Sequence, residues 1–528
     1  MRARYAVAAL TAALWTLVPG EAIAQKPGGT LRITHRDSPA NMSIHENGTI
    51  SVVLPVMGVF NNLILYDQKK PQNSLDGIVP ELATSWTWSE DGRTLTFQLR
   101  QGVTWHDGRP FTAADVKCTW DLLADRASET FRINSRKGWY VNLESVTVTG
   151  DHTAVFQLKA PQPALLGLLA SGFSPVYPCH VTPAQMRQAP IGTGPFKFVE
   201  FQKNQGIKVV RNPSYWKPGR PYLDAIEYTI IPNRSTAILA FVSGQFDMFF
   251  PYELSVPLVG DVQAQMPGVV CEIAPMNVAA NILMNPVPPF DNLDVRRAVA
   301  MALDRQAFID ILTHGKGDIG TAMQPLPEGR WGMPEAQRRQ LPGYDPDIAK
   351  SRAKSRTIMA AAGFSREKPL RLKLSTRNIP TYRDASVILI SQLKEIFIEA
   401  ELDLVETAQW VPRLVKREYQ MALSQVGNGV DDPDQGFPEN YACGSRTYMD
   451  YCNKEIDALI AKQSAERDQE KRKAIVWEID RRLTEDAVRP MIYFMRGGTC
   501  RRPEVKDMTV MVNSTFNGWR LEDVWLDR

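Results

Sequence analysis

The chain of 528 residues has no CxxC pair, no HExxH, no GxSxG and no glycine-rich loop ending in a phosphate-binding lysine. Zinc-finger, zincin, hydrolase and nucleotide-loop chemistries therefore lack their usual carriers. Histidines are few and scattered (His35, His45, His106, His152, His180, His314), so no preassembled metal site is expected. Neither charge sign dominates: 61 Lys plus Arg stand against 58 Asp plus Glu, a net charge of +3. That leaves no basic stripe for a nucleic acid. Solenoid-type repeats are missing too. Beyond the first two dozen residues, no apolar run reaches the roughly 20 needed to cross a bilayer; the best stretch, 163–176, is interrupted by Gly167, Ser171, Gly172 and Ser174. What remains is 44% hydrophobic and 23% charged in an even mixture, the composition of a globular protein of about three structural units.

The N-terminus reads as an export signal. Arg2 and Arg4 precede an apolar run from Tyr5 to Val18, a Pro19-Gly20 break and Ala22-Ile23-Ala24, which predicts cleavage after Ala24. The run is too short for an anchor, no Cys follows the cleavage point to take a lipid, and the two arginines are not adjacent. The mature chain, from Gln25, is expected in an oxidising space such as a periplasm. All six cysteines survive cleavage, which permits up to three disulfides. Cys443 and Cys452 are close enough in sequence to suggest one bridge. For Cys118, Cys179, Cys271 and Cys500, bridges and buried thiols stay equally open.

Strands and helices alternate irregularly. A strand is expected at Leu31–His35, then a polar loop to Asn47 and a helix from Ser51 to Phe60. Alternation in Ser85–Trp88 and Thr94–Leu99 around Asp91-Gly92 predicts a hairpin with Trp86 and Trp88 facing the core. Thr112 and Asp115 form a capping box for a helix from Ala113, stapled by Phe111 and Val116. Gly192–Pro195 and Asn204-Gln205-Gly206 mark turns in a β-rich stretch. Apolar spacing predicts one helix from Val295 to Leu312, another at Ala385–Ile398 before a strand at Glu401–Glu406, and a last one at Lys471–Leu483. His106-Asp107-Gly108 is better explained as a turn than as a catalytic pair. The GxG fragments at Gly192–Gly194 and Gly427-Asn428-Gly429 lack the rest of a nucleotide fingerprint.

Longer blocks carry a resemblance. Leu82-Ala83-Thr84-Ser85-Trp86, Ser89–Gly92, Leu95–Val103, His106-Asp107-Gly108, Pro110–Ala113 and Asp115-Val116 resemble the signature of family 5 extracellular solute-binding proteins. These are the dipeptide, oligopeptide and nickel-type receptors of ATP-binding-cassette importers. Gly192–Phe196, Arg211-Asn212-Pro213, Tyr215-Trp216 and Tyr222-Leu223-Asp224 are similar to the family's second block. Pro289-Phe290-Asp291, Val295–Ala298 and Leu303-Asp304-Arg305 are similar to its third, and Tyr344-Asp345-Pro346 and Ala361–Phe364 to the segment beyond.

The resemblance implies an α/β, two-lobed periplasmic binding protein fold of the large, cluster C type, with an extra domain inserted in lobe one. Lobe one would comprise 25–60, 185–275 and 495–528, the extra domain 61–184, and lobe two 276–494. Two crossings between lobes would make a hinge. The function implied is capture of a peptide or peptide-like solute and its delivery to an inner-membrane permease, by a monomer with no catalytic residue, cofactor or metal. A glycoside, opine or metal chelate is the alternative cargo, and an exported hydrolase the more distant one.

By the same resemblance, Arg377 would hold a ligand carboxylate, for which its planar fork is suited, and Trp410 would pack on the ligand. An Asp four positions before Pro433 would take an ammonium, but that position is Gly429. Either Asp431 or Asp432 then assumes the duty, or the ligand has no such ammonium. Asn428 on the same loop, and His45 and Asn47 on the first loop of lobe one, complete the expected ligand set.

Overall fold

Leu31 and Ile33 alternate with more exposed neighbours and are fully buried, which makes Thr30–His35 a strand with one covered face. It lies at the edge of a four-stranded sheet, parallel to Ala225–Ile230, followed by Gly206–Arg211 and Phe196–Gln202 in antiparallel order. The computed structural model describes residues 25–445 and 448–528; the expected signal peptide and its cleavage after Ala24 lie outside the described residues.

A second sheet is wholly antiparallel and ordered Ala83–Trp88, Thr94–Leu99, Thr153–Leu158, Leu143–Val148. Helix Ala113–Leu123 packs on it through Trp120, whose ring meets Phe156 edge-on at 5.0 Å, and the Thr112/Asp115 capping box is present. The hairpin tryptophans differ from expectation. Trp86 and Trp88 pack against the core but are only half-buried, because their strand is at the sheet edge and one flank meets solvent.

The third sheet runs Ile398–Val405, Leu370–Arg377, Met421–Gly427, Val270–Met284, Met491–Arg501. Its first three strands are parallel, and helix Pro380–Lys394 supplies the crossover such strands require. Val270–Met284 and Met491–Arg501 are long enough to reach both larger sheets: Met248 bridges Ile33 of the first sheet to Arg501. Their pairing slips between Pro275 and Ala279, where Asn277 has a φ of +50°. A bulge at that point bends the ribbon.

The periodic stretch 295–312 is two helices, Leu293–Met301 and Arg305–Thr313. Asp304 divides them by accepting a hydrogen bond from the Ala307 amide, a cap that apolar spacing does not reveal. The helix expected to reach Phe60 ends at Val56 and tightens into a 3₁₀ turn, Met57–Val59. All six cysteines are paired: Cys118–Cys179, Cys271–Cys500 and Cys443–Cys452. Cys271–Cys500 ties the two long strands together on the first-sheet side of the bulge.

Candidate ligand-binding site

The carboxyl end of strand Leu370–Arg377 delivers Arg377 into the space between the first and third sheets, and Pro380 starts the next helix immediately behind it. The strand end matters because chain direction there sends loops, not side-chain stripes, toward the opposing body. Opposite stands Asp37, two residues past the end of Thr30–His35. Arg377 Nη2 donates to Asp37 Oδ2 and, at 3.3 Å, to Ser51 Oγ; its Nε donates to Thr407 Oγ1 at 2.8 Å. Thr407 in turn donates to Asp37 at 2.6 Å. Burial would raise the Asp37 carboxyl, but the guanidiniums of Arg377 and Arg36 outweigh it and hold that carboxyl well below the usual range.

Beside this cluster lies a cavity lined by polar and aromatic side chains. Arg377, Tyr382 and Trp410 line one side, with Trp410 edge-on to Tyr382 at 6.1 Å. Trp410 is buried on helix Thr407–Val415, which also presents Val411 and Leu414. The opposing wall is Arg36, Gly48, Thr49 and Ile50, with Phe516 from the C-terminal tail. Arg36 is paired with Glu253 at 2.9 Å.

At the other end stands Glu439, on helix Pro433–Asn440. Its Oε2 accepts from Trp139 Nε1 at 2.9 Å and from Gln435 Nε2 at 3.1 Å, while Arg136 Nη1 lies 3.8 Å from Oε1. Arg136 stacks over Phe173 at 3.7 Å. Arg489 donates to Asn281 at 2.9 Å and to Asn440 at 2.8 Å.

Of the residues expected from sequence, Arg377 and Trp410 stand in this cavity wall and the others do not. Asp431 and Asp432 face a second cavity with Arg330, Trp331 and Arg472. Asp431 accepts the Arg330 amide at 3.0 Å, and burial pushes its carboxyl up to about 7. Asp432 caps helix Pro433–Asn440 and is gripped by the Arg472 fork at 2.6 and 3.0 Å. Asn428 is buried, its backbone N–H donating to the Asn277 carbonyl at 3.0 Å. His45 is enclosed, with Nε2 3.0 Å from the Pro175 carbonyl, and burial pushes it down to about 3. Asn47 donates to Asn41 and Ser43, folding its own loop so that Gly48 to Ile50 reach the cavity instead. At Gly429 a Cβ would be tight, 3.1 Å from the Phe173 ring and 3.2 Å from Ser171 Oγ.

Sequence reasoning missed Arg36, Arg136, Glu439 and Arg489. A weak signal existed for Arg489, a lone charge between Val488 and Pro490 in an apolar run. His106, by contrast, is a structural residue: its Nε2 lies 3.0 Å from the Gly194 carbonyl, and burial pushes it down to about 4.

A binding protein with two bodies around a buried, polar-and-aromatic cleft is the class these features define. Residues 77–448 match Bacterial extracellular solute-binding proteins, family 5 Middle, and the chain belongs to that family. It is similar to Probable di/tripeptide-binding protein 5 of Pseudomonas aeruginosa (strain UCBPP-PA14), 24% identical over 488 residues that make up 87% of this chain and 89% of the relative. In fold it is similar to the ABC transporter-associated periplasmic binding protein DppA from Helicobacter pylori in complex with peptide STSA (TM-score 0.82, 20% identity, 95% of this chain and 99% of that one). It is equally similar to the PBP AgaA in complex with agropinic acid from A.tumefacien R10 (TM-score 0.81, 22% identity, 95% and 99%). No helix among the described residues is long and apolar enough to cross a membrane.

Proposed function

We propose that this protein is the periplasmic receptor of an ABC importer, which captures a peptide or peptide-like solute between its lobes and presents it to the membrane permease unaltered, without a cofactor. The observation that carries the reading is the cavity between the segment that follows strand Thr30–His35 and the third sheet, with the Arg377–Asp37 pair spanning the two sides. Family membership and the peptide named for two relatives support it. Lobe one is taken as 25–60, 185–275 and 495–528, the extra domain as 61–184 and lobe two as 276–494. The bulge at Pro275–Ala279 is the natural hinge, since both crossings pass there.

A ligand shifts the balance of open and closed forms only by binding one better, so the two-sided wall is what couples occupancy to closure. Arg377 and Trp410 are the ligand-wall residues of this reading. In closed form Arg377 already serves a carboxylate, that of Asp37, so its first duty is to join the lobes. A non-peptide solute is the second reading, favoured by Gly429, which stands where an ammonium-binding Asp was expected. Small-angle scattering with and without a saturating tripeptide, beside calorimetry of the same mixture, tests the proposal. Contraction with stoichiometric heat is expected; turnover of the peptide, or heat without contraction, would reject it.

A further inference from the structure

Arg377 reaches the cavity wall with most of its hydrogen-bonding capacity already spent. Its Nη2 donates to Asp37 and, at 3.3 Å, to Ser51 Oγ, and its Nε donates to Thr407 Oγ1 at 2.8 Å. A guanidinium grips a carboxylate through two neighbouring N–H groups, either Nε with Nη2 or Nη2 with Nη1. Both edges need Nη2, whose two hydrogens are in use. Nη1 is the nitrogen left, with no partner among the described residues. Arg377 lines the cavity, whereas Asp37, Ser51 and Thr407 are not among the described residues that line it.

Displacing Asp37 from Arg377 is costly. Asp37 also accepts from Thr407 at 2.6 Å. Burial would raise its carboxyl, but the guanidiniums of Arg377 and Arg36 outweigh that and keep it an anion. A solute carboxylate that took Nη2 would leave this anion buried without its partner, which is strongly destabilising. It would also set two like charges close together where water screens them weakly. Arg36, the next guanidinium in the wall, is itself paired with Glu253 at 2.9 Å. Two guanidiniums on this side are thus matched by two carboxylates.

We propose that Asp37 sets the specificity of this side of the site: it holds the place that a solute carboxylate would take on Arg377, so the enclosed solute offers Arg377 Nη1 an uncharged acceptor, such as a peptide carbonyl, amide or hydroxyl oxygen. This rests on the receptor reading above and narrows it. A terminal carboxylate, where the solute has one, is seated away from Arg377.

The test is calorimetry with trialanine and trialanine amide, read as the ratio of their affinities in the unaltered protein, in Asp37→Asn, and in Asp37→Asn combined with Arg377→Gln, each variant shown folded by its melting transition. A cost of closing is common to both probes and cancels in the ratio. Exchanging the neutral pair for two neutral side chains should leave the ratio within about threefold of the parent's. Asp37→Asn alone unmasks the guanidinium and should shift the ratio at least about tenfold toward the free carboxylate. Loss of an about tenfold carboxylate preference in the double variant would show Arg377 gripping that group, and would overturn the proposal while leaving the peptide receptor standing. An unchanged ratio in Asp37→Asn would overturn it as well. Binding of neither probe to the unaltered protein would reject the peptide reading and this narrowing with it. A crystal structure of the unaltered protein with trialanine needs no variant: Asp37 is expected to keep Arg377 Nη2, and a solute carboxylate on that nitrogen would overturn the proposal.

Discussion

Two buried acid–guanidinium clusters in this protein look alike and are placed differently. Asp37 and Arg377 are 340 positions apart, one just past a strand of the first sheet and the other at the end of a strand of the third. Asp432 and Arg472 are 40 apart and hold helix Pro433–Asn440 to helix Gln469–Glu485 within one body. A pair inside one packed body can lose its partner only by local unfolding. A pair across a cleft can be released by opening, where water replaces the partner. The Asp432–Arg472 pair therefore reports on folding and the Asp37–Arg377 pair on closure.

Arg472→Met should bring the largest loss. It leaves the buried Asp432 without its fork and weakens Asp434, at a cost of about 3–5 kcal/mol. Calorimetric melting should show a clearly lowered transition; an unchanged one would mean the pair is solvated in solution. Cys443→Ser with Cys452→Ser opens a nine-residue separation and should cost about 2–3 kcal/mol in the chain-entropy picture. Non-reducing peptide mapping checks the bridge first, and equal melting of native and double variant would dismiss its contribution.

Asp37→Asn sharpens the contrast. It removes Arg377's counter-ion at about 2 kcal/mol in the closed form, but opening relieves that cost. The radius of gyration should increase while the melting transition moves less than for Arg472→Met. Equal effects on melting would erase the distinction between the two clusters.

The smallest effect concerns pH. Burial pushes Asp480 up to about 7, although Thr321 and the Ala322 amide donate to it at 2.6 and 3.1 Å. The folded chain keeps this proton in a window where the unfolded chain has released it. Stability is therefore fullest below the ordinary carboxylate range and falls as pH rises toward 7. Asp480→Asn should remove that slope, about 1 kcal/mol per pH unit between pH 5 and 6. Parallel denaturation curves for variant and parent across that interval would refute the assignment.

Much of the fold was legible where the signal was local. The Thr112/Asp115 box, the Asp91-Gly92 hairpin and the strand before Asp37 depend on neighbours a few residues away, and the structure has them. The break at Asp304 was not legible, because a single cap interrupts an apolar stripe without changing its period. For the site, family position led to Arg377 and Trp410. It led to Asp431 and Asp432 as well, whose side chains turn away to Arg330 and Arg472. Arg136 and Arg489 gave little warning, since a guanidinium in a loop reads as surface charge until its neighbours are known.

The linear order of residues determined the family, the elements with their own start and stop chemistry, and the near-balance of charge over the whole chain. Only the tertiary structure decided how that charge is distributed: four arginines from four distant segments line one cavity, and both acids expected there, Asp431 and Asp432, serve elsewhere. The physical reason is that a hydrogen-bonding cap or an apolar period is set by residues one or two turns apart. The sign of a buried space is set by side chains that meet only after the sheets have packed.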